Sequence, residues 1–121
     1  MAEAKIHAGI CGFETVVRTR RQGKRCQVTI QSQCKSLQLL ADNLTDVDPF
    51  QEISYAKSGP MTFQLAAKCR LHPACPVPAG IIKAVEVECR LAAPASASIQ
   101  VTRQDATLPS QDENPGTGMN K

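Results

Sequence analysis

The chain has 121 residues, which allows one domain with a single core. A net charge of +3 with a pI near 8.6 is too mild to imply a nucleic-acid partner. No apolar run approaches the roughly 18 residues of a membrane span, and the opening Met1-Ala2-Glu3-Ala4-Lys5 is not followed by the apolar block of a signal peptide.

These features lead us to expect a soluble cytoplasmic protein. There is no Trp, one Tyr and three Phe, so the core must come from Ile, Val, Leu, Ala and Cys. Six cysteines fall below the roughly 8 to 10 per cent of disulfide scaffolds, and in a reducing compartment they read as thiols or ligands. A three-disulfide secreted domain is the alternative.

Residues 5–18 alternate, with Ile6, Ala8 and Ile10 on one face, and the pattern shifts at Cys11-Gly12 before resuming as Phe13, Thr15 and Val17. A glycine at such a break marks a bulge or a turn. Either one kinked strand turns Cys11 toward a site, or two short strands are joined by an irregular Gly-Ile-Cys-Gly turn. The next stretch, 18–25, holds Arg18, Arg20, Arg21, Lys24 and Arg25 around Gly23, and Cys26-Gln27-Val28-Thr29-Ile30 alternates again. This pattern predicts a β-hairpin with a basic tip. Such a tip either docks an acidic protein partner or is a solvated, polar edge. No aromatics interleave with the charges, which argues against single-stranded nucleic acid.

Cys34 opens a helix over about 35–44 in which Leu37, Leu40, Ala41 and Leu44 share a face. Residues 50–54 are a candidate buried strand. Pro60 begins a helix to about 69, with Met61, Leu65 and Cys69 aligned. Pro73, Pro76 and Pro78 exclude helix interior until about residue 78, where a core-facing helix begins and carries Ile81, Val85, Cys89 and Ala92 as one stripe. Cys75 therefore stands just ahead of a helix N-terminus, a place that favours the thiolate, with the imidazole of His72 three residues upstream. Residues 98–102 alternate as a last strand, and 103–121 are too polar to order.

The expected fold is a single α+β domain over residues 1–102 with a disordered 103–121 tail. An antiparallel sheet of three or four strands (about 5–18, 25–32, 98–103 and 50–54) carries three helices packed on one face (about 35–44, 60–69 and 78–92). Cys26, Cys69 and Cys89 lie in apolar stripes and read as core. Cys11, Cys34 and Cys75 instead fall at chain irregularities, where packing does not require sulfur. Converging thiolates with an imidazole select zinc or an iron-sulfur cluster over hard cations. No C-x2-C pair, P-loop, G-x-G-x-x-G or paired acid/base carboxylates point to an enzyme, although thiol or persulfide chemistry at Cys75 is a third reading.

The order Cys11-Gly12 after a strand, a hairpin, Cys34 opening a helix, then Leu71-His72 and Cys75 ahead of Ile81-Ile82-Lys83-Ala84 resembles the iron-sulfur cluster assembly scaffolds of the IscU and NifU N-terminal type. The resemblance spans about residues 5 to 92 in order and spacing rather than identity. It implies an IscU/NifU-like fold, a transient cluster or zinc held by Cys11, Cys34 and Cys75, and His72 as the fourth ligand. The chain departs from that family in having Phe13 where an acidic residue follows the first Cys-Gly, Lys35 after the second cysteine, and Pro73-Ala74 between histidine and the last cysteine.

Overall fold

The computed structural model describes residues 1–104. Strands β1 (Ala2–His7), β2 (Glu14–Gln22) and β3 (Arg25–Gln31) are followed by helix α1 (Lys35–Asn43), the two-residue strand β4 (Asp46–Val47), the single turn α2 (Pro49–Glu52), then α3 (Met61–Lys68) and α4 (Val77–Glu88). The sheet is antiparallel throughout, in the order β1-β2-β3-β4. The α+β class and its antiparallel sheet are as the sequence predicts.

Alternation produces a two-sided sheet. Thr15, Val17 and Thr19 of β2 and Cys26, Val28 and Ile30 of β3 are buried toward the helices. Arg18, Arg20, Gln27 and Thr29 occupy the intervening positions, on the solvent side. Helix α4 packs across β1 and β2, and α1 packs on β3. Leu37, Leu40 and Leu44 from the first helix meet Val77, Ile81, Ala84 and Val85 from the last in one core.

Two polar contacts tie the helices down. The buried Thr19 hydroxyl donates to the Ala84 carbonyl at 3.0 Å, joining the middle of β2 to α4. Glu52, only 1% exposed, turns its carboxylate into the start of α3, where it accepts from the Met61 N–H at 2.8 Å, the Thr62 N–H at 3.0 Å and the Thr62 hydroxyl. Pro60 at the N-cap makes no side-chain cap bond, so Glu52 satisfies N–H groups that the helix leaves open. That bond draws Thr62 inward, and the buried face of α3 runs through Thr62, Ala66 and Cys69, with Met61 and Leu65 half-buried at its margin.

Helices α3 and α4 end alike. In each, a cysteine caps the helix and the next residue is an arginine in the left-handed region, Arg70 at φ 62° and Arg90 at φ 61°. Leu71 N–H then reaches Ala66 O at 3.0 Å, and Leu91 N–H reaches Glu86 O at 2.8 Å. This is the Schellman closure, normally built on glycine.

Of the two readings of residues 5–18, the structure has the second: two strands joined by a turn, in which Gly9 and Gly12 adopt positive φ and the Gly12 N–H meets Gly9 O at 2.8 Å. Three other expectations need correction. Residues 50–54 are not a strand: Asp48 accepts from the Phe50 N–H at 3.0 Å and Pro49 sits in the first turn, which starts the helical turn α2 instead. Helix α4 stops at Glu88 rather than near residue 92, because Arg90 reverses the backbone and leaves Ala92 exposed. Residues 98–102 form no strand; their alternation finds no neighbouring chain to pair with. Of the tail predicted to be disordered, residues 105–121 lie outside the described residues.

Gly80 lets α4 approach β1. A Cβ there would lie 2.5 Å from Ile6 Cδ1 and 2.7 Å from its Cγ1. Gly80→Ala should therefore lower stability by about 1 kcal/mol through overpacking, although alanine is worth about 1 kcal/mol over glycine within a helix. In an Ile6→Ala background the same change should become stabilising; urea unfolding of the four-variant cycle reads the sign change. Glu52→Ala should cost about 3 kcal/mol, since it strips hydrogen bonds to a buried charged group, and the loss should appear as a lowered unfolding midpoint.

Candidate functional site

Two strand registers and the run of α4 bring the element junctions to one end of the sheet. His7 pairs with Glu14, so the turn over residues 8–13 lies at the β1 C-terminal end. Val16 pairs with Gln31, which delivers the end of β3 and the start of α1 to that same end. Helix α4 runs back along the sheet, with Gly80 against Ile6, Ala84 at Thr19, and Glu88 accepting from the Arg21 N–H at 2.9 Å. Its N-terminus therefore points to the end that holds the turn and the α1 start.

Cys11, Cys34 and Cys75 occupy these three junctions. Cys34 is the N-cap of α1 in extended conformation (φ −71°, ψ 126°), and its thiol makes no cap bond. Its N–H donates to Ser32 Oγ at 3.1 Å, and that hydroxyl also accepts from Thr15 Oγ1 at 3.0 Å. Ser32 thus ties Cys34 to the buried side of β2. Cys75 closes a tight turn, with its N–H on the His72 carbonyl at 2.9 Å, and packs half-buried against the core as Cys34 does. Cys11 is exposed on the glycine-flanked turn, with Gly9 at φ 87° and Gly12 at φ 75° and open space beside both.

Electrostatics links the three. Burial pushes the Cys75 thiol above its ordinary value, the Val77 N–H at the head of α4 pulls it down, and the nearby Cys34 and Cys11 thiols push it up again. The helix N-terminus acts in the expected direction, but burial outweighs it, so the predicted favouring of the thiolate at Cys75 is reversed. Among the described residues, no three His, Cys, Asp or Glu side chains stand close enough to hold a metal ion as they are.

His72 is exposed within the turn that carries Cys75. His7 instead braces the Cys11 turn, its Nδ1 accepting from the Gly9 N–H at 3.3 Å. Cys26, Cys69 and Cys89 are buried in the core, and all six cysteines are free. Sequence reasoning missed Ser32 and Thr15; polar Thr15 at an inward strand position was the signal that could have found them. Beside them, Gly12, Phe13, Glu14, Val16, Gln31, Ser32 and Gln33 line an open groove of about 450 Å³ between the Cys11 turn and the approach to Cys34.

The basic hairpin shares β2 and β3 with the site but turns at the opposite end of those strands, and it is largely engaged with its own fold. Arg18 pairs with Glu3 at 2.8 Å and reaches Gln31 at 3.3 Å, Arg25 pairs with Asp46 at 3.0 Å, and Arg21 Nε donates to the Gly23 carbonyl at 3.0 Å. Arg20 and Lys24 are exposed and form no ion pair among the described residues.

Cys26 and Cys89 are neighbours. Burial, with the Cys89 thiol beside it, pushes the Cys26 thiol from an ordinary 9.0 up to about 12. The fold thus favours the neutral thiol, and its contribution is intact below pH 9.0 and lost as pH rises toward about 12. Unfolding free energy measured in urea should fall across that window, with a shallower fall in Cys26→Ala.

Residues 2–101 match the family model described as a family of unknown function (DUF6951). No curated protein and no solved structure matches the chain.

Proposed function

The chain belongs to the DUF6951 family, and because that membership brings no activity with it, we propose from the residues themselves that Cys11, Cys34 and Cys75 bind a soft metal, zinc or an iron-sulfur cluster, as a scaffold or carrier. One observation carries the reading. The three cysteines outside the deep core come from three separate junctions that the strand registers and the seat of α4 bring to one end of the sheet. Core packing accounts fully for the other three thiols, whereas Cys34 and Cys75 only border the core and Cys11 is exposed.

The geometry gives each thiol a different part. Cys34 and Cys75 are anchored by Ser32 and by the His72 turn, whereas Cys11 is exposed on a turn shaped by two positive-φ glycines. Closing the set requires the Cys11 turn to move inward over the other two. His72, exposed on the Cys75 turn, is the candidate fourth ligand, in line with the resemblance to cluster assembly scaffolds. A site completed by a solvent-exposed ligand suits cargo that is taken up and released rather than a permanent structural metal. Because Cys75 resists ionisation, metal must displace its proton, so affinity should rise with pH.

Anaerobic titration of reduced protein with Co(II) should give a thiolate charge-transfer band, competed away by Zn(II), and reconstitution with Fe(II) and sulfide should give cluster absorption. Cys11→Ser, Cys34→Ser and Cys75→Ser should each weaken binding at least about tenfold, while Cys69→Ala should bind as the wild type does. No band with any metal, or equal loss in Cys69→Ala, would overturn the proposal.

A further inference from the structure

Residues 98–102 read Ser-Ile-Gln-Val-Thr, polar and apolar by turns, yet in the folded chain they lie alone. Ile99 is 80% exposed and Val101 86%, and residues 90–104 are exposed throughout. The family match runs through residue 101, so nearly all of this stretch lies inside the matched region. Strand β1 is an edge strand, paired with β2 on one side only among the described residues. Its inward residues Ala2, Ala4 and Ile6 are only half-buried, although they point to the helix layer. One chain therefore carries both an unpaired strand pattern and an unpaired strand edge.

We infer that residues 98–102 of one copy add as a fifth strand to the β1 edge of a second copy, in a reciprocal two-fold exchange. The match is two-sided. Set beside β1, Ile99 and Val101 face the helix layer and cover Ala4 and Ile6. Ser98, Gln100 and Thr102 then join Glu3 and Lys5 on the solvent side. Five residues nearly span the six of β1. Backbone pairing supplies the affinity and alternate side chains the register, as in other strand additions.

A second copy is the fitting occupant because the single chain leaves its own arm off its own edge. Each partner gives one strand and receives one, which closes the assembly at two chains and covers the β1 edge of each with a short strand. The exchange is independent of the thiol site, since no cysteine lies in β1 or in residues 98–102.

Sedimentation equilibrium of the reduced full chain tests it. The expected mass is twice the 13.0 kDa of one chain, and the β1 amides should be protected from hydrogen exchange. Ile99→Asp with Val101→Asp should abolish the dimer and expose those amides without lowering the monomer's helical content, because both side chains are exposed in the monomer. Gln100→Glu, on the other face, should leave the dimer intact. A monomeric wild type at every soluble concentration, including one with protected β1 amides from docking of its own arm, overturns the inference, as does a dimer that survives the double change.

Discussion

The seat of α4 on the sheet is the constraint on which most of the molecule depends. At Gly80 the helix backbone comes so near Ile6 that no side chain fits between them, and four residues later the Thr19 hydroxyl reaches the Ala84 carbonyl. A close approach and a hydrogen bond one turn apart fix both the height of the helix and its position along the strands. With the body of α4 set, its N-terminal end must project beyond β1, over the turn that comes after that strand. Cys75 is carried there by the rigid Pro-rich lead rather than by any bond of its own side chain.

Two opposing fields then meet at Cys75. The open N–H groups at the head of a helix favour an anion, while the hydrocarbon that half encloses the sulfur disfavours one. Here enclosure wins, and a thiol that stays protonated is a poor free nucleophile but a competent ligand once a metal takes the place of its proton. The same chemistry that argues against a reactive cysteine is compatible with a binding one. The exposed Cys11 and half-buried Cys34 complete a gradient of access, from a thiol in open water to one at the rim of the core.

Much of this was legible in the chain. Leu37, Leu40 and Leu44 and then Ile81, Val85 and Cys89 announced two buried helix faces, and each is buried. Proline fixed where α3 and α4 begin. What the sequence hid was of three kinds. Alternation over residues 98–102 carries the preference of a strand but not the presence of a neighbour, and pairing needs both. The Asp48-Pro49 start of α2 was overshadowed by the apolar look of Phe50 and Ile53, both of which are exposed. The third kind was long-range chemistry: Glu52 reaching ten residues ahead to Thr62, and Ser32 held by Thr15, are visible only once the chain is folded. For the thiols, the junctions could be read from glycines and prolines, but the balance of burial against the helix field at Cys75 could not.

The twin Cys-Arg-Leu exits carry a further consequence. Because Arg70 folds the backbone sharply where α3 stops, the heading of the 71–76 segment is set by the angular position of that last residue around the helix barrel. One added or deleted residue within α3 would swing the departure point by about 100° and aim the segment at a different quarter of the molecule. Tolerance to substitution along α3 and tolerance to a change in its residue count are thus decoupled, and the arm leaving α4 at Arg90 obeys the same rule.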